Sequence, residues 1–171
     1  MGFYAPTVFI ILGVVFSLLP DIDFIFHLLK KKRLNEYNHK HRDYLHYPIL
    51  YIGGGFILFL FVDVKIAILF AVVSALHFLH DSVGIGWGVK WLYPFSKNSF
   101  MFCYKIREKG EGLRRVFPSQ LYYSWTEEQV EQKSLLYGDK DWVKNIYLKF
   151  SWYAFIEYIG FLIGLGFLFW L

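Results

Sequence analysis

The chain has 171 residues, of which 56% are hydrophobic, 22% aromatic and only 19% charged, with a formal net charge of +4 and a mean hydropathy of +0.37. Soluble domains carry about 25% charged residues, so this balance excludes an ordinary soluble domain and a disordered chain alike. A single cysteine, Cys103, excludes an internal disulfide framework and a cysteine-rich zinc module, and in so apolar a chain the basic excess points to membrane topology rather than to a nucleic-acid partner.

Crossing about 30 Å of hydrocarbon takes roughly 20 apolar residues at 1.5 Å each. Four stretches approach that length: residues 3–19, 47–62, 66–80 and 150–171. The expected fold is therefore an all-α membrane protein of four transmembrane helices, with a cytoplasmic insertion between the third and fourth. Three parts follow from it: a membrane core over 1–95, the insertion over 96–149, and the fourth transmembrane helix over 150–171. Nothing basic precedes the first stretch and Leu19-Pro20-Asp21 is no small-residue cleavage site, so it reads as a retained span rather than a signal peptide. Asp63-Val64-Lys65 reads as the tight turn of a helical hairpin.

Orientation follows from lysine and arginine. Lys30, Lys31, Lys32, Arg33, Lys40 and Arg42 lie between the first two stretches, Lys65 alone lies between the second and third, and eleven more fall between Lys90 and Lys149. Both charged connections are expected in the cytoplasm, with the two termini and the Asp63 turn outside. The 30–33 run fits topology better than head-group binding.

In the polar region over 81–149, residues 91–95 (WLYPF) are aromatic and suit a membrane interface, residues 99–106 lean towards strand, and Lys109-Gly110-Glu111-Gly112 reads as a turn. Thr126 followed by Gln129 fits a capping box and predicts a short helix over 127–137 that ends at Gly138. Asp139 or Asp141 then caps the helix leading into the last stretch. Gly53-Gly54-Gly55 and Gly160-x-x-x-Gly164 allow close helix contact. Gly84-x-Gly86-x-Gly88 lacks the strand context of a nucleotide loop and reads as a flexible loop.

Three polar clusters sit at the stretch boundaries: Leu19-Pro20-Asp21-Ile22-Asp23, the run His39 to His46 that precedes Pro48, and His77-Phe78-Leu79-His80-Asp81. Five of the six histidines fall in them, and His27 follows four residues after Asp23. Up-and-down threading puts all three clusters at one membrane face. His77 and Asp81 are i and i+4 on a helix and point the same way, a workable two-ligand arm. Asp21 and Asp23 are i and i+2, so they converge only if the chain leaves the helix at Pro20, or else serve different ions. His41 and His46 likewise need a non-helical segment to meet. Ionisable groups at a span end are costly unless paired, metal-bound or facing water. Mixed imidazole and carboxylate ligation suits zinc, manganese or iron better than magnesium or calcium. The expected metal ligands are Asp21, Asp23, His41, His46, His77 and Asp81, holding one or two divalent ions, with zinc or manganese foremost.

The ordered set Leu19-Pro20-Asp21-Ile22-Asp23, His41-Arg42 with His46, and His77-x-x-x-Asp81 resembles the membrane-bound, metal-dependent hydrolases of the YdjM-like kind, some of whose bacterial members are described as LexA-regulated. Gly86-Trp87-Gly88 and Leu92-Tyr93-Pro94-Phe95 are similar to that family's segment after the third cluster, so the resemblance spans residues 10–95. Asp43 stands where the family has glycine, and Leu45-His46-Tyr47 where it has Thr-His-Ser. A weaker similarity links the His-x-x-x-Asp arm to zinc-dependent phospholipases C. The resemblance implies a hydrolase at the cytoplasmic interface, in which activated water attacks phosphorus or a carbonyl. Arg42 would stabilise anionic charge on the substrate. His80 would either transfer a proton or bond a neighbouring helix, and Glu157 would either reach the site or pair with a lysine. The position of the clusters favours membrane lipids as surroundings and an amphiphilic phosphoester, such as a lipid phosphate, as substrate. Two other readings stay open: a non-catalytic metal-binding membrane protein with a structural or transport role, and a scaffold whose insertion binds a partner.

Overall fold

Proline sets two helix ends near the polar clusters. The computed structural model describes residues 7–23, 45–83, 86–103, 121–137, 148, 155, 158–163 and 166. Helix α1, Thr7–Leu18, stops two residues before Pro20, whose ring disfavours helical geometry in the residue before it. Asp21 N and Ile22 N then bond to Leu18 O and Leu19 O at 3.2 Å each, a tightened turn. Helix α2, Pro48–Leu60, starts on a proline in its first turn, where the missing N–H costs nothing. Phe61 and Val62 close the hairpin, and Asp63 caps helix α3, Val64–Asp81, by accepting from Lys65 N at 2.6 Å.

Helix α3 packs against both α1 and α2. Its inward stripe is Ala67, Phe70, Ser74 and Phe78, all buried. The three helices meet in an aromatic knot in which Phe16, Phe59 and Phe70 lie 5.0–5.2 Å apart between centroids, with Tyr51 5.4 Å from Phe70 and 5.5 Å from Phe78. The opposite face of α3 presents Val64, Ile68, Val72, Leu76 and Leu79, all exposed. A helix that is apolar on both faces suits hydrocarbon surroundings rather than water.

After α3 the chain builds a small antiparallel sheet. Strand β1, Ser99–Phe102, pairs with β2, Tyr122–Trp125, in the register Ser99–Trp125 to Phe102–Tyr122. Helix α4, Glu127–Tyr137, follows. Its capping box is reciprocal: Thr126 N donates to Gln129 Oε1 at 3.0 Å and Gln129 N to Thr126 Oγ1 at 3.3 Å. Met101, Trp125 and Val130 form its core, with Trp87 and Tyr123 against it.

This architecture corrects the expectation of an all-α protein with four transmembrane helices. Among the described residues, only Val64–Asp81 is long and apolar enough to cross a membrane. Among the described residues, helices α1 and α2 run for 12 and 13 residues, about 18–20 Å at 1.5 Å per residue, short of a hydrocarbon core. Hydropathy overcounted because turn residues are apolar here too: Phe61 and Val62 belong to the hairpin bend, and Leu19 to the turn before Pro20. The sheet corrects the all-α part, since the aromatic, strand-prone 99–102 and 122–125 segments pair with each other. Most of the fourth stretch lies outside the described residues, as do Gly84, the 109–112 turn, Gly138, Asp139, Asp141 and the 30–33 run.

Candidate metal centre

The bends at Pro20 and Pro48 and the end of α3 bring their polar residues to one place. His46 precedes α2 in a non-helical segment and is buried, as is Asp23. His46 Nδ1 lies 2.8 Å from Asp23 Oδ2, which also accepts from Leu45 N at 3.3 Å. With Nδ1–H donating to that carboxylate, the ring presents the Nε2 lone pair on its other side. There His46 Nε2 meets Asp81 Oδ2 at 3.3 Å and Asp21 Oδ1 at 4.0 Å. His77 Nε2 lies 3.7 Å from the same Asp21 oxygen and 4.0 Å from the same Asp81 oxygen. The chain leaves helix α1 before Pro20, yet Asp21 and Asp23 do not converge: they face opposite sides of the His46 ring, while the i, i+4 arm of α3 places both its residues beside Asp21 or His46.

The donor set can be tested for fit. Zinc-type bonds of about 2.1 Å in a tetrahedron place the ligand atoms about 3.4 Å apart. The four carboxylate–imidazole separations, 3.3–4.0 Å, lie within about 0.6 Å of that spacing. The ligand atoms of Asp21, His46 and His77 all lie within 4.8 Å of one another. Two carboxylates match the charge of one divalent ion, and the nitrogen and oxygen donors match zinc or manganese. The residues present fit such an ion.

His80 is mostly exposed, with Nδ1 4.0 Å from Asp81 Oδ1. Asp23 stands apart from the four donors, on the Nδ1 side of His46. His41, Arg42, His27 and Glu157 lie outside the described residues.

The sequence did not reveal what holds Asp81 in place. Ser82 Oγ donates to Phe78 O at 2.7 Å and accepts from Trp91 Nε1 at 2.8 Å. Ser82 O accepts from Phe102 N at 2.6 Å, and Val83 bridges Phe102. Thus β1 is tied directly to the end of the helix that carries His77 and Asp81. The 91–95 segment, read as an interface belt, supplies this brace through Trp91, and Tyr93 stacks on Tyr47 at 4.1 Å beside His46. No residue pattern marks such contacts, because each depends on the turn that follows α3.

A helical hairpin with an apolar outer face and a histidine–aspartate cluster at one end defines a membrane-associated helical protein. The sequence matches the profile of the YdjM inner membrane protein family over residues 2–163, and the chain belongs to that family. Membership places it at a membrane, in agreement with the outer face of α3. Searches of curated proteins and of solved structures found no match.

Proposed function

We propose that this protein is a metal-dependent hydrolase acting at the cytoplasmic membrane interface on a phosphoester or lipid-phosphate substrate. One observation carries the reading: Asp21, His46 and His77, from three separate chain segments, turn ligand atoms to within 4.8 Å of one another, and Asp81 borders both histidines at 3.3 and 4.0 Å. A divalent ion held there would lower the pKa of water towards 7 and polarise the bond to be cleaved. The protein's own groups do the rest. Asp23 fixes the orientation of His46. His80, exposed beside Asp81, takes up or returns a proton at its imidazole. Arg42, within the second cluster of the sequence, pairs with substrate phosphate through its planar fork. The concentration of basic residues in the two long connections supports a cytoplasmic site, and a site beside apolar helices favours a substrate that itself resides in the bilayer.

The test is hydrolysis of phosphodiesters and lipid phosphates by the purified zinc- or manganese-loaded protein. Turnover by wild type that disappears in the His77→Ala, Asp81→Ala double variant supports the reading. A protein that binds metal yet hydrolyses nothing across a broad panel belongs instead with non-catalytic metal-binding membrane proteins.

A further inference from the structure

Resting on the metal-centre reading, we infer that Asp23 is a positioning residue that acts through His46, not a ligand. The expectation from sequence makes both Asp21 and Asp23 ligands, either converging beyond Pro20 or serving different ions. The structure separates them. Asp21 Oδ1 faces the Nε2 atoms of both His46 and His77, whereas Asp23 Oδ2 bonds His46 Nδ1 at 2.8 Å. The two nitrogens of an imidazole point away from each other, so the carboxylate that holds Nδ1 lies behind the ring as seen from the Nε2 cluster.

Burial gives this contact its leverage. Asp23 is 2% exposed and His46 1% exposed. Phe78 packs edge-on against the His46 ring at 5.7 Å, which together with Asp23 leaves the imidazole one orientation. Asp23 Oδ2 also accepts from Leu45 N, so the carboxylate fixes both the ring and the backbone just before it. Asp23 Oδ1 is buried and makes no hydrogen bond with a described residue, and a rival role as a ligand would use that oxygen. A carboxylate behind a metal-binding histidine sets its tautomer and raises its basicity, and losing one typically weakens metal binding by 10–100-fold.

The experiment compares wild type, Asp23→Asn, Asp23→Ala, Asp23→Glu and Asp21→Ala. It measures zinc affinity by chelator competition, zinc stoichiometry, and the number of first-sphere ligands by X-ray absorption. Circular dichroism checks helix content, and the near-isosteric Asp23→Asn serves if Asp23→Ala misfolds. The inference expects Asp23→Asn and Asp23→Ala to keep the wild-type stoichiometry and ligand count while affinity falls about 10–100-fold. Asp23→Glu should recover part of the loss, and Asp21→Ala should lose a ligand. Unchanged affinity in both Asp23→Asn and Asp23→Ala overturns the inference and leaves the metal centre standing, as does a lost ligand or ion. A wild-type protein that binds no zinc or manganese overturns both.

Discussion

Three consecutive glycines in α2 should respond to alanine with opposite signs. At Gly53 and Gly54 an added Cβ meets nothing within 4 Å, whereas at Gly55 it would overlap Cε1 and Cζ of Phe70 and come 3.0 Å from Cδ1. Phe70 cannot swing aside cheaply. It is 3% exposed, with Phe16 at 5.2 Å, Phe59 at 5.1 Å and Tyr51 at 5.4 Å around its ring. Replacing glycine by alanine inside a helix gains about 1 kcal/mol, while forcing extra volume into a packed core costs about 1–3 kcal/mol. Gly54→Ala should therefore stabilise by up to about 1 kcal/mol. Gly55→Ala should come out between neutral and about 2 kcal/mol destabilised, a gap of about 1–3 kcal/mol between neighbours. For a chain of this size each kcal/mol moves the melting temperature by about 2–4 °C. Thermal unfolding in detergent, followed by circular dichroism, reads the difference directly. Equal shifts for the two variants would refute the packing of α2 on α3 through Gly55.

Other consequences follow from the brace and the small sheet. Trp91→Phe removes the Nε1–H donor to Ser82 and should cost about 1 kcal/mol; if Ser82 secures Asp81, zinc affinity should drop as well, and a stability loss with unchanged affinity would separate the brace from the site. Gly88→Ala should destabilise more than Gly55→Ala in the same melts, because Gly88 has φ 74° and its Cβ would lie 2.6 Å from Phe100 O. The Glu127 carboxyl is held below its ordinary range, first by the hydrogen bond from Lys90 Nζ; burial opposes this, and the charges of Lys90 and then Lys97 add lesser pulls in the same direction as the hydrogen bond. The unfolded chain binds this proton more readily, so the pair's stabilisation is present at neutral pH and fades as pH falls through the depressed value. Being exposed, the pair is worth no more than about 1 kcal/mol, and the stability gap between wild type and Glu127→Gln should close in acid.

The helix ends were legible because each has a local chemical cause. Pro20 and Pro48, and the Thr126–Gln129 box, act within a few residues, and the short helix over 127–137 lies where the capping box put it. The i, i+4 spacing of His77 and Asp81 was legible for the same reason. Span counting failed because hydropathy does not distinguish an apolar helix from an apolar turn, and Phe61 and Val62 are turn residues. The glycine run read as a packing surface; among the described residues only Gly55 of the three meets a neighbour, since adjacent helix positions point about 100° apart. The separate placements of Asp21 and Asp23 and the Ser82–Trp91 brace were hidden because they depend on contacts between residues far apart in sequence.

In the proposed function a cation, rather than shared protons, holds Asp21, His46, His77 and Asp81 together. Without one, protons shared between His46 and the carboxylates of Asp23 and Asp81, at 2.8 and 3.3 Å, would hold the group together. Elemental analysis of purified protein after zinc or manganese loading and removal of free metal decides between the two. Stoichiometric metal is expected in wild type and none in the His77→Ala, Asp81→Ala variant with its helix content intact. Metal-free wild type, or equal metal in both proteins, would contradict it.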